Sequence, residues 1–313
     1  MVPSVTPSPA TITVVVMGYR NRATIVDAVA SVVTQTAPEP AEVVVVTSGD
    51  DGSADTVRAA YPDLRVVDAP TRLLPGGARN VGMDAATGTV VAFLAADCLA
   101  EPGWVAARAA AHRAGHPVVA GAMTLAPPRR LSAWALHFDL YGARLPGRGV
   151  GPVLPGDPAA HGLSFDRAVL DRVGPFDTAL PIGEDTDFAR RLAALDVPVW
   201  FDPRVRTAHR GPATTRALLA ERYHRGQAAA RLAPPDSVPP RRGRVLIGFP
   251  RHWSRRMAHT VATGWRNGRP ERLRLVAALP WIALGIGAGL AGRYRQRFRP
   301  SPAVKGNAGS ATG

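Results

Sequence analysis

Between residues 183 and 187 the chain reads Gly-Glu-Asp-Thr-Asp, three carboxylates in four positions just before the apolar-spaced Phe188 and Leu192. A helix dipole and its cap account for one or two acids in a first turn. Three suit a general base presented from a helix N-terminus, and an exposed acidic turn paired with Arg190 and Arg191 is the plainer alternative. Asp97 follows a nearly all-apolar run at 90–94. A carboxylate there can hold Mg²⁺ or Mn²⁺ against substrate phosphates, or it can cap a turn ahead of Pro102. The run Gly76-Gly77-Ala78-Arg79-Asn80 puts small residues and a guanidinium at a helix start. Backbone N–H groups and an arginine there suit a diphosphate, against the alternative of a glycine-assisted turn with a surface arginine. His209 closes the run 202–209 as a candidate metal or phosphate ligand, although a lone histidine is more often structural. Cys98 has no histidine near it in sequence and reads as a packed thiol. A single cysteine also excludes a disulfide scaffold and a multi-cysteine zinc site. No G-x-G-x-x-G follows the first apolar run and no G-x-x-x-x-G-K-[ST] occurs anywhere, which argues against a dinucleotide oxidoreductase and a P-loop NTPase.

The elements that must carry these groups follow from periodicity. β-Branched or apolar runs predict strands at 11–17, 42–47, 64–67, 89–94, 117–120 and 197–201. Helical spacing predicts helices at 23–35, 55–60, 76–86, 102–114 and 184–194. Such alternation implies an α/β fold with a mainly parallel sheet and flanking helices. In such sheets ligands gather at the C-terminal strand ends, and the polar residues fall there: Gly18 to Asn21, Ser48 to Ser53, and Asp97. Residues 124–160, rich in Gly and Pro, predict an inserted loop or lid.

Composition bounds the partners. The 313 residues carry a net charge of +14, and 46% are hydrophobic, so a sizeable core is available. The charge is uneven: residues 1–203 sum to −5, while residues 204–313 hold 22 basic and 3 acidic residues and sum to +19. The basic part contains 275–291, 17 residues without a charge and with arginines on both sides. That length sits at the lower limit for a bilayer span and also suits an interfacial or re-entrant segment. Charge of this kind, with no recognisable nucleic-acid module, points to anionic lipid and not to nucleic acid. The first eleven residues have no basic n-region and the run at 14–17 is too short for a signal core, so the body is expected in the cytoplasm. The expected organisation is a disordered 1–10, a catalytic domain at 11–232, a Pro-rich linker at 233–243, a basic, apolar membrane-associating tail at 244–300 and a disordered 301–313.

Seven motifs in register resemble glycosyltransferase family 2, over about residues 11–212. VVVMGYRNR resembles the family's first strand and turn, and residues 30–36 (ASVVTQT) its S-L-x-x-Q-T helix end. EVVVVTSGDDGSADT resembles E-V-I-V-V-D-D-G-S-x-D-x-T, and GGARNVGMDAATGTVVAFLAAD the long segment that ends in D-x-D. Residues 163–167 (LSFDR), 173–177 (VGPFD) and GEDTDFARRL follow the family's second half, the last most specifically. The resemblance implies a GT-A-type, Rossmann-like fold and inverting transfer of a sugar from a nucleoside diphosphate to an acceptor hydroxyl. It implies Asp185 as base with Glu184 beside it positioning the acceptor. It places Arg79 and Asn80 toward the diphosphate, and Gly18, Tyr19 and one of Asp50 or Asp51 at the nucleobase and ribose. It makes Asp97 and His209 the holders of Mg²⁺ or Mn²⁺. Two departures stand out: Ala95 replaces the first D-x-D acid, and Thr47 and Ser48 stand where two acids are usual. The expectation is a transferase acting on a lipid-linked or cell-envelope glycan at the cytoplasmic face of the membrane. The alternative is a non-catalytic nucleotide-sugar-binding or scaffold protein on the same fold, and Ala95 is its motive.

Overall fold

Valine and isoleucine, stiff at χ1, crowd the short segments that become the centre of the sheet. A computed structural model of the chain describes residues 11–35, 41–154, 162–231 and 242–298. The expected disordered ends and most of the expected linker lie outside those residues. Four parallel strands, β1 (Ile12–Tyr19), β2 (Glu42–Ser48), β3 (Arg65–Ala69) and β4 (Val90–Ala95), lie in the order β3-β2-β1-β4. They are joined by α1 (Ile25–Val33), α2 (Ser53–Ala60) and α3 (Pro75–Ala85). There follow β5 (Cys98–Ala100), α4 (Trp104–Arg113), β6 (Val118–Leu125), α5 (Leu131–Tyr141), β7 (Gly151–Pro152), β8 (Ser164–Asp166), α6 (Arg167–Val173), α7 (Glu184–Ala194) and β9 (Trp200–His209).

The sheet continues from β4 through β8, β6 and β9 to β5. β8 runs antiparallel to β4 and β6, whereas β6 and β9 are parallel. The fold is thus the expected α/β sheet with flanking helices, mixed in its second half. Alternation along β1 divides the core. Val14 and Val16 face Ile25, Val29 and Trp104 on one side. Val15 packs with Phe93, Phe165, Phe176 and Phe188 on the other. All three valines are fully buried, because helices cover both faces of a central parallel strand.

Two local expectations change. The stretch 124–160 is not an inserted loop throughout: its glycines and prolines cluster outside 131–141, and that interval forms α5, with Trp134, Leu136 and Phe138 buried. The last strand is not confined to the expected 197–201 but runs ten residues, Trp200–His209, so His209 is its final residue.

The basic part of the chain forms α8 (Thr215–Arg231), α9 (Arg242–Trp265) and α10 (Arg269–Arg297). α10 contains the one stretch among the described residues long and apolar enough to cross a membrane. Its residues Leu275, Ala278, Ile282 and Ile286, spaced at three and four, are buried with Trp134 and Phe138 of α5 and Leu218 of α8. Asp139 fixes this assembly. Its carboxylate, 3% exposed, pairs with Arg222 at 2.5 Å and Arg256 at 2.7 Å, and Thr260 Oγ1 donates to it at 3.3 Å. One acid therefore ties α5 to α8 and α9. Asp139→Ala leaves Arg222, 12% exposed, without its partner, and removing one partner of a buried pair costs about 3–5 kcal/mol. Urea denaturation should show a loss of that size, and a loss below about 1 kcal/mol would contradict the tie.

Candidate active site

The strand ends carry glycine and short polar residues where the apolar runs stop, and the chain opens there into a cavity of about 780 Å³. Gly18, Tyr19 and Ser48 enter from β1 and β2, Ala95 and Asp97 from β4 and its following turn, and Glu184 and Asp185 from α7. Gly183 takes φ +82, a left-handed conformation that glycine adopts without steric cost, and so turns the chain into α7. The first two acids that follow it are not a solvated turn, Glu184 being 5% exposed and Asp185 6%, whereas the third, Asp187, pairs with Arg191 at 3.0 Å. Asp185 Oδ1 accepts the Thr186 backbone N–H at 2.7 Å, which orients the carboxylate. Glu184 is paired with Arg79, whose guanidinium also lies 5.2 Å from the Phe176 ring centre and 5.6 Å from that of Phe93. Arg79 lines the cavity, but its charge is balanced in this pair.

Asp97 and His209 form the opposite wall. His209 Nε2 lies 3.5 Å from Asp97 Oδ2, and its ring meets Tyr141 edge-on at 5.4 Å between centres. Burial raises the Asp97 carboxyl, but the hydrogen bond and charge of His209, helped by the Cys98 thiol, outweigh it and hold the group below its ordinary value. Asp97, Cys98 and His209 bring their donor atoms within 4.8 Å of one another. Burial and the neighbouring Asp97 charge push the Cys98 thiol well above its ordinary value, and a soft sulfur suits Mg²⁺ or Mn²⁺ less well than an oxygen does. The Asp97 carboxylate and the His209 imidazole fit a divalent cation of the Mg²⁺ or Mn²⁺ kind.

Residues 13–173 match the family model described as glycosyl transferase family 2. The chain belongs to that family. Two curated relatives, each a pre-mycofactocin glycosyltransferase from a strain of Mycobacterium tuberculosis, are 32% identical over 212 residues. The match covers 61% of this chain and 43% of the relative, so the chain spans less than half the length of the curated relatives it matches. Among solved structures, a mannosyltransferase from Pyrobaculum calidifontis in complex with GDP-Man and Mn²⁺ aligns with a TM-score of 0.54 at 22% identity, over 93% of this chain and 89% of that one. The TarS fragment 1–349 from S. aureus in complex with UDP-GlcNAc aligns with a TM-score of 0.53 at 17% identity, over 91% and 92%. These likenesses show the GT-A glycosyltransferase fold.

On this family 2 scaffold the expected donor residues separate into two groups. Gly18, Tyr19 and Arg79 line the cavity, whereas Asp50, Asp51 and Asn80 are not among the lining residues. Asp51 accepts the Ser53 hydroxyl at 2.5 Å and the Arg22 backbone N–H at 3.2 Å, and so shapes the turn into α2. Asp50 is exposed with φ +48. Asn80 makes a two-way hydrogen bond with the Phe176 backbone, at 2.9 and 3.0 Å, anchoring the approach to α7. No sequence motif marks Arg72, 4.5 Å from the Tyr19 ring centre, or the wall built by Tyr141, Glu221, His224 and Arg225. Only the four-residue spacing of Glu221 and Arg225 hinted at an ordered helix face.

Glu184→Ala would leave the Arg79 charge buried without its partner and destabilise the domain by about 3–5 kcal/mol. Thermal unfolding of that variant beside wild type checks this, and an unchanged Tm would show that the pair carries little.

Proposed function

We propose that the chain is an inverting glycosyltransferase that moves a sugar from a nucleoside-diphosphate sugar to an acceptor hydroxyl. The observation that carries this reading is Asp185, buried at the first turn of α7 and facing the same cavity as the Asp97–His209 pair. As the acceptor oxygen bonds to the anomeric carbon, its proton passes to the Asp185 carboxylate. The bond from that carbon to the diphosphate oxygen breaks on the opposite face, so the configuration inverts and the diphosphate departs with the electron pair. A divalent cation held by Asp97 and His209 would supply charge stabilisation to that leaving group. Gly18 leaves room at the end of β1 for the Ala96 and Asn21 side chains, and Tyr19 with Arg72 offers a flat, cationic stack for the nucleobase. Arg79 holds Glu184 and with it the first turn of α7, and Glu184 in turn positions the acceptor beside Asp185.

The acceptor we favour is a lipid-linked or cell-envelope glycan at the cytoplasmic face of a membrane. Support comes from α10. Leu273, Val276 and Leu284 are exposed opposite its packed face, and Arg269, Arg272 and Arg274 are exposed at its start. A helix occupied by protein along one side suits a surface-lying position better than a span. Each basic residue near an anionic surface contributes about 1 kcal/mol. Co-sedimentation should therefore be strong with vesicles rich in anionic lipid and weak with phosphatidylcholine alone. Preference for duplex DNA in a parallel filter assay would overturn this assignment.

Ala95 favours a second reading, a nucleotide-sugar-binding protein without turnover. A thermal-shift screen of nucleotide sugars with and without Mn²⁺, followed by turnover assays, separates the two. On the transferase reading a donor raises the Tm more with Mn²⁺, and Asp185→Asn keeps that shift while turnover falls on the order of 10²–10⁴-fold. Binding without turnover across a broad acceptor panel would favour the second reading.

A further inference from the structure

Cys98 follows Asp97 in the chain and faces His209 across the sheet. β5 and β9 pair antiparallel with Cys98 directly opposite His209. Residues opposite one another in such a pair project to the same face, with Cβ atoms about 4.5–5.5 Å apart. The thiol and the imidazole therefore share one side of the sheet, and Asp97 joins them from the turn between β4 and β5. All three residues line the cavity. The Cys98 sulfur lies 3.5 Å from Asp97 Oδ1, and His209 Nε2 lies 3.5 Å from Asp97 Oδ2. One donor atom from each of the three lies within 4.8 Å of the other two.

Those spacings suit a tetrahedral zinc ion. Zn–S bonds of about 2.3 Å and Zn–N or Zn–O bonds of about 2.0 Å, at a tetrahedral angle, put sulfur and oxygen about 3.5 Å apart and nitrogen and oxygen about 3.3 Å apart. Mg²⁺ and Mn²⁺ would use the carboxylate and the imidazole and leave the sulfur idle. Zn²⁺ is borderline-soft and takes carboxylate oxygen, imidazole nitrogen and thiolate sulfur alike. We infer that Asp97, Cys98 and His209 together bind Zn²⁺, with the fourth position open to the cavity. The coordinating sulfur is a thiolate, so binding passes the Cys98 proton to solvent. Two residues of this short stretch act in the same direction: Ala95 withholds a hard oxygen from the wall, and Cys98 adds a soft donor to it. Zinc and a hard cation would compete for Asp97 and His209, and the sulfur favours zinc. The inference goes beyond the transferase reading and involves no nucleotide.

Titration of the metal-free full chain with Co²⁺, a spectroscopic stand-in for Zn²⁺, tests it. Cys98 is the single cysteine, so a thiolate-to-metal charge-transfer band has one possible origin. Wild type should give that band together with the strong visible absorption of tetrahedral Co²⁺, and added Zn²⁺ should abolish both. Cys98→Ser should lose the charge-transfer band. It should also bind Zn²⁺ weaker by about 100-fold or more, beyond the loss of an outer-shell partner, with its Mn²⁺ affinity unchanged. A wild-type titration without the band would overturn the proposal, whether or not Co²⁺ binds elsewhere. Equal Zn²⁺ affinity in wild type and Cys98→Ser would overturn it too. If the serine variant fails to fold, the wild-type spectrum decides alone. Because these readouts use metal only, a chain that bound zinc in this way and no nucleotide sugar would remove the transferase reading and leave the zinc site standing.

Discussion

A guanidinium and a carboxylate, each more than nine-tenths buried, meet between α3 and α7, and the shape of the cavity depends on that pair. Neither charge is tolerable alone in such a place, since the desolvation of one ion must be offset by the other. The consequence is positional. Arg79 sits among the rings of Phe93 and Phe176 and fixes Glu184, and Asp185 is the next residue along. Asn80, one residue after Arg79, clamps the backbone at Phe176. Adjacent residues of α3 thus hold both the approach to α7 and its first turn.

The opposite wall is held by a different device. Asp97 and His209 arrive from distant parts of the chain, brought together by the antiparallel pairing of β5 with β9, which sets Cys98 against His209. The hydrogen bond from His209 holds the Asp97 carboxyl below its ordinary value, so the wall offers a carboxylate and an imidazole together. Ala95, at the end of β4, offers no side-chain oxygen, and this leaves a leaner set of donors than the two-acid motif would provide.

The basic C-terminal helices are tied to the body by Asp139 and by apolar packing, so the charge difference between the two parts of the chain does not correspond to two separate bodies among the described residues. α10 uses one side for this packing and leaves leucines, a valine and arginines on the other. Its low overall polarity, which suggested a span, serves partly to build a core. The same packing carries α8 up to the cavity.

The sheet's central strands, the helix that opens on acids, and the family motifs were all legible in the sequence, because each depends on short-range spacing: period two or 3.6, or a fixed run of residues. The sequence also marked seven of the lining residues, namely Gly18, Tyr19, Arg79, Asp97, Glu184, Asp185 and His209. It could not tell that Arg79 and Glu184, 105 residues apart, neutralise each other. Nor could it assign Asp51 and Asn80 to turn and backbone contacts. Residues 131–141 were hidden among the glycines and prolines that flank them, and Arg225 looked like one of many basic residues in a tail. Local pattern determines which elements form and which groups they carry. Which charges meet, and which helix closes the site, is decided by packing between segments far apart in the chain, where no sequence period operates.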